Sequence, residues 1–182
     1  MRKDILILLM SLFFLNATAN AGVNLSKTRV VIDKNNDYSG NVRVNNVGDE
    51  EVLIQAWIDD GTNKVKGSHF LVTPPVRRLG GKKSSTLKLD LTGLKAKQIS
   101  SLEEQVYYLN VKSIPKRNNV DNKFLIATNS RIKVFVRPES LAGISSLTDV
   151  KRNLTAIQTS QGFQIINDSN FSLNFEFIEV LD

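Results

Sequence analysis

Three observations predict an all-β chain: short apolar runs that alternate with period two, clusters of Asn, Asp and Gly between them, and almost no 3.6-residue periodicity. Alternation is decisive because successive strand side chains point to opposite faces, so a half-buried strand changes polarity at each step. Seven runs qualify: Val23 to Ile32, Asn41 to Asn45, Val52 to Ile58, Phe70 to Val72, Thr86 to Leu91, Gln105 to Lys112 and Phe124 to Val136. Between them lie Asp33-Lys34-Asn35-Asn36-Asp37, Asn46-Val47-Gly48-Asp49, Asp60-Gly61-Thr62-Asn63 and Arg117-Asn118-Asn119, whose residues tolerate the dihedrals of tight turns. Seven strands at this spacing read as an immunoglobulin-like sandwich over residues 22–138. Trp57, in the third run, is expected to pack in its core. A weak helical stretch, Leu94 to Leu102, precedes the sixth run.

The two ends differ from this body. Met1-Arg2-Lys3 is basic, Ile5 to Phe14 is apolar, and Ala19-Asn20-Ala21 offers the small residues a signal peptidase needs, so residues 1–21 read as a secretory signal. The apolar run is about ten residues, against the roughly twenty that cross a bilayer as a helix. A soluble chain beginning near Gly22, and not membrane-spanning, is expected. After Pro138 the texture turns to Glu139-Ser140-Leu141-Ala142-Gly143-Ile144-Ser145-Ser146, which suits a linker. Three further strands are predicted, Leu154 to Thr159, Gly162 to Asn167 and Phe171 to Val180, the last with Phe171, Leu173, Phe175 and Phe177 on one face. Residues 139–182 are too few to close a sandwich of about 100 residues. They read as a linker and a truncated second β domain.

Composition narrows the chemistry. With no cysteine, disulfides, thiol catalysis and cysteine-based zinc sites are excluded, so an exported chain must rely on its hydrophobic core. The formal charge of +6 favours acidic partners without naming one. The single histidine, His69, has no serine and acid pattern around it and no second ligand at metal spacing. Glu103 and Glu104 are adjacent on an extended segment, so they face opposite ways and cannot flank a sugar. Thr148-Asp149, Lys151-Arg152 and Lys82-Lys83 read as surface chemistry. No glycine-rich phosphate loop is present, and no enzyme activity, cofactor, metal, nucleotide or nucleic acid is expected.

One constellation remains. Ser130-Arg131-Ile132-Lys133-Val134-Phe135-Val136-Arg137-Pro138 alternates basic and apolar residues, and Lys27-Thr28-Arg29 places an arginine on the first strand. Two cations meeting across a sheet would form an anion anchor, although the same residues also fit ordinary strands with exposed heads. These segments, with Leu25-Ser26-Lys27-Thr28-Arg29, Gln55-Ala56-Trp57-Ile58, Thr73-Pro74-Pro75-Val76-Arg77-Arg78-Leu79, Tyr107-Tyr108-Leu109-Asn110 and Ile114-Pro115, resemble in order and spacing the periplasmic pilus (fimbrial) chaperones of the chaperone–usher pathway, the PapD-like family. The resemblance covers Gly22 to Pro138 and continues faintly through Gly162 to Asp168.

The resemblance implies a function and a site. Arg29 and Lys133 match the basic pair that holds the C-terminal carboxylate of a pilus subunit, with the outer-membrane usher as second partner. Phe124, Ile126 and Thr128 match the alternate residues that enter the groove of a subunit lacking its last strand. Thr128 departs from the large apolar residue expected there, and all three also fit inward packing in this chain's own sandwich. Glu104 and Arg137 match an interdomain charge network whose third, acidic member has no counterpart in this chain. The short segment Pro115 to Asn122 resembles the branch that serves simple adhesive pili. The other function class is a structural or adhesive immunoglobulin-like module, or a chaperone without a client.

Overall fold

The computed structural model describes residues 22–62, 69–92, 102–116, 125–144, 146–175 and 178–179. The signal segment 1–21, nearly all of the helical stretch 94–102, and Phe124 lie outside the described residues. The strands are β1 (Val23–Leu25), β2 (Arg29–Ile32), β3 (Ser39–Asn46), β4 (Val52–Asp59), β5 (Phe70–Thr73), β6 (Val76–Leu79), β7 (Ser84–Leu91), β8 (Gln105–Pro115), β9 (Thr128–Val136), β10 (Leu154–Thr159) and β11 (Gly162–Asn167). Among the described residues one α-helix, α1 (Ser146–Arg152), precedes β10.

Two sheets form an immunoglobulin-like sandwich. One runs β1-β3-β7-β5 and the other β2-β9-β8-β4-β6. The period-two pattern decides what lies between them: Val42, Val44, Leu87, Leu89, Phe70 and Val72 face inward from the first sheet. Val30, Ile32, Ile54, Ala56, Ile58, Leu109, Val111, Val134 and Val136 meet them from the second. Each fully buried aliphatic side chain contributes about 1.5–3 kcal/mol relative to exposure. Phe70 and Tyr107 join the sheets edge to face, with ring centroids 5.0 Å apart.

The first predicted run divides. Val23 to Ile32 is not one strand, because β1 pairs with β3 whereas β2 crosses to the other sheet and runs parallel to β9. Ser26 marks the switch, donating its backbone N–H to Arg43 and accepting from the Arg43 N–H through its hydroxyl. A chain that feeds both sheets from one end has to leave the first ladder at such a point. A further sandwich strand that the periodicity did not predict, β6, lies in the Pro74-Pro75 motif, whose cis Thr73–Pro74 bond joins β5 to β6. Gly81 is required at the next corner, since a Cβ there would fall 1.8 Å from the Asp49 carbonyl oxygen.

Trp57 is not in the core. Ile54, Ala56 and Ile58 occupy the inward positions of β4, so alternation turns Trp57 to the outer face, half-buried opposite Asn110. His69 is half-buried before β5, its carbonyl accepting from the Thr92 amide and hydroxyl.

Beyond Pro138 the chain makes a turn of 3-10 helix (Glu139–Leu141), within the segment Glu139 to Ser146 read as linker, and then α1, which starts at the last residue of that segment; neither is predicted from the sequence. β10 and β11 form a separate antiparallel hairpin at the predicted positions. The third predicted strand is absent among the described residues: 171–175 has no ladder partner. Instead Phe171 is buried with Leu141 and Val150, and Leu173 packs against them. Phe177 and Val180 lie outside the described residues.

The two regions should answer truncation differently. Leu109→Ala, at a fully buried position, should lower the unfolding free energy by about 2–5 kcal/mol. Phe163→Ser, on a hairpin side chain that is 56% exposed, should shift it by less than about 0.5 kcal/mol. Urea unfolding followed by tryptophan fluorescence measures both.

Candidate functional site

The outer face of the five-stranded sheet carries the basic residues. Val30 and Ile32 point inward on β2, which turns Arg29 outward, and the same alternation on β9 turns Arg131, Lys133 and Phe135 outward. The parallel ladder sets Arg29 directly beside Lys133. A pocket of about 270 Å³ opens there, lined by Arg29, Arg131, Lys133, Phe135 and Asn174 among others. Among the described residues no carboxylate pairs with Arg29 or Lys133; the Lys133 ammonium instead donates to Asn174 Oδ1 at 2.5 Å. Two adjacent uncompensated cations can take one carboxylate through the arginine fork and the ammonium together.

Arg131 is different, because it is compensated. Its guanidinium bonds Asp59 Oδ1 at 2.7 Å and lies 4.1 Å from the Tyr108 ring centroid. Asp59, only 5% exposed in its side chain, also accepts from Asn110 Nδ2 at 2.6 Å, and Asn110 Oδ1 accepts from Asn129. This chain of polar side chains crosses β4, β8 and β9 and fixes Arg131 at the rim of the pocket.

Glu104 and Arg137 are brought together. Arg137 Nε donates to Glu104 Oε2 at 2.6 Å, with the Glu104 side chain 2% exposed. The partners beyond the pair come from the C-terminal segment: Ser172 N–H donates to Glu104 Oε1, Glu104 N–H donates to the Asn170 carbonyl, and the guanidinium faces the Phe171 ring at 5.2 Å. Among the described residues no second acidic side chain joins the pair, whose further contacts are to backbone and to the Phe171 ring.

The segment before the anchor is open. Ile126 is 74% exposed and Thr128, which begins β9, is exposed, so neither fills this chain's own core. β9 pairs with β8 along its whole length, Thr128 to Val136. On its other edge β2 covers only Lys133 to Val136. From Thr128 to Ile132 that edge has no strand partner among the described residues.

Asp59, Asn110, Tyr108, Arg131 and Asn174 were not anticipated as site residues. The β9 alternation already placed Arg131 on the Lys133 face, and Asn110 lay inside a recognised motif. Asp59 carried a weaker signal, as a charged end to an apolar run. Nothing in the sequence pointed to Asn174, since its place depends on where 171–175 lies.

Residues 22–142 match the family of pili and flagellar-assembly chaperones, PapD N-terminal domain. The probable fimbrial chaperone LpfB of Escherichia coli O157:H7 is 34% identical over 183 aligned residues, covering 97% of this chain and 74% of LpfB. The E. coli chaperone DraB superposes with a TM-score of 0.74 at 27% identity, over 88% of this chain and 75% of its own. The SafB chaperone structure from Salmonella enterica, in complex with the SafA pilin, gives a TM-score of 0.71 at 25% identity, over 85% and 72% of the two chains. This chain spans from about half to about three quarters of the length of the relatives it matches. It belongs to the PapD-like pilus-chaperone family, which is not an enzyme family. No helix among the described residues is long and apolar enough to cross a membrane.

Removing one partner of a buried ion pair strands the other, at a cost of about 3–5 kcal/mol, whereas an exposed pair contributes under about 1 kcal/mol. Arg137→Ala should therefore destabilise the chain by several kcal/mol in urea unfolding, and Lys34→Ala, which breaks the exposed pair with Glu139, hardly at all. Equal small losses would contradict a dry Glu104.

Proposed function

We propose that this chain is a periplasmic chaperone of pilus subunits. In this reading residues 1–21 are its signal peptide, 22–138 its subunit-binding sandwich and 139–182 a second β unit. A subunit's C-terminal carboxylate sits between Arg29 and Lys133, and the subunit's last missing strand is supplied by Phe124, Ile126, Thr128 and the free edge of β9. The loaded chaperone then delivers the subunit to an outer-membrane usher. One observation carries the reading: a strand edge that, among the described residues, has no partner strand and ends at two in-register cations with no carboxylate of their own.

The two halves support each other physically. Hydrogen bonds to a charged group contribute about 1.5–3 kcal/mol each, and the carboxylate would set the register of everything upstream of it. From that fixed end, backbone N–H and C=O groups of Thr128 to Ile132 can pair with an extended partner, while exposed side chains enter its groove. A subunit with an unfilled groove presents a strand edge that would otherwise aggregate, so the added strand also caps it. Thr128 offers a smaller, more polar contact than Ile126 and narrows the choice of subunit. Membership of a chaperone family and the likeness to a chaperone bound to a pilin add support. The adhesive-module alternative has no observation in its favour.

Co-expression with a candidate pilus subunit, purification of the tagged chain from the periplasm and mass identification of what accompanies it test the anchor. Wild type should retain the subunit, and Arg29→Ala and Lys133→Ala should each lose it at least about tenfold, with unfolding transitions unchanged. Retention by both variants as by wild type would refute the anchor. For the donor segment, Ile126→Asp should abolish capture because it places an unpaired charge in an apolar groove. Leu71→Asp, on the other sheet and 53% exposed, should leave capture intact.

A further inference from the structure

The pocket that holds Arg29 and Lys133 has a contributor from the far end of the chain. Asn174 lines it, although 41 residues separate Asn174 from Lys133. The segment is pinned there: Phe171 is buried, Asn170 accepts from the Glu104 N–H, and Ser172 donates to the Glu104 carboxylate. Asn174 itself stays exposed at the pocket mouth.

We infer that Asn174 is a third, uncharged ligand for the bound carboxylate, held by Lys133 so that its amide NH2 faces the anion. An ammonium can only donate, and a carboxamide has one acceptor atom, so the 2.5 Å contact settles which end of Asn174 faces Lys133. The NH2 end is thereby turned away from the positive charge. Among the described residues it has no acceptor. A carboxylate offers about four acceptor positions; an arginine fork takes two and an ammonium one, leaving one for the Asn174 N–H. Binding would then extend a chain from ammonium to carboxamide to carboxylate, each bond polarising the next. Arg131 also lines the pocket, but its charge is already balanced by Asp59, which leaves it less drawn to an incoming anion.

This inference rests on the carboxylate reading of the pocket, so its test separates the two. The probe is a labelled peptide of alternating Val and Ser ending in a free carboxylate, compared with the same peptide amidated at its C-terminus. Fluorescence anisotropy with the full chain gives the acid-over-amide preference. Wild type should prefer the acid. Asn174→Ala should reduce that preference about tenfold, the effect of one hydrogen bond to a charged group, while binding of the amidated peptide and thermal unfolding stay unchanged. Asn174→Asp should remove the preference, because its own carboxylate would occupy Lys133. If Lys133→Ala keeps the full preference, the carboxylate reading fails and this inference with it. If Lys133→Ala loses the preference while Asn174→Ala keeps or increases it, the anchor stands and the role of Asn174 is overturned.

Discussion

The parallel ladder between Arg29–Ile32 and Lys133–Val136 joins the second and last strands of the sandwich, a pairing that no hairpin can make. On its inner face Val30, Ile32, Val134 and Val136 sit at or below 3% exposure and close the core. Its outer face must then carry Arg29 and Lys133, which inherit adjacency from the same register. A slip of one residue would send the cations into the core and the aliphatic side chains into water, so burial of one face enforces the geometry of the other. The ladder is also short. Because β2 spans only four residues, β9 runs on past it with one edge that has no strand partner among the described residues.

Charge around this ladder is sorted by compensation. Arg131 is matched by Asp59 and Arg137 by Glu104, in both cases by a carboxylate whose side chain is at most 5% exposed. Such carboxylates require their partners, since an unpaired buried charge is strongly destabilising. Arg29 and Lys133 have no such obligation and remain available to an incoming anion. Glu104 has a second role as an anchor for residues 170–172, which brings Asn174 to the pocket.

Much of this was legible in the residues. Period two located most of the sandwich strands, though not β6, and both strands of the later hairpin, and alternation along β9 put Arg131 and Lys133 on one face. The errors share a cause. Trp57 was assigned by residue type to a core from which its position in β4 excludes it. Val23 to Ile32 reads as one continuous strand because a change of sheet leaves apolar periodicity almost intact. Phe171 to Val180 alternates like a strand, yet among the described residues 171–175 has no neighbouring edge and Phe171 packs on Leu141 and Val150 instead.

The sequence by itself determined the all-β class, the positions of most of the strands and the presence of cations on the outer faces of β2 and β9, because alternation, turn residues and charge are local properties of the chain. Only the tertiary structure decided that Arg29 and Lys133 are in register, that the β9 edge beyond them has no strand partner among the described residues, and that Asp59 balances Arg131 while Asn174 joins the pocket. These are contacts between residues far apart in the chain. They follow from which buried faces meet, a choice that depends on the whole core at once and leaves no signature in any single segment.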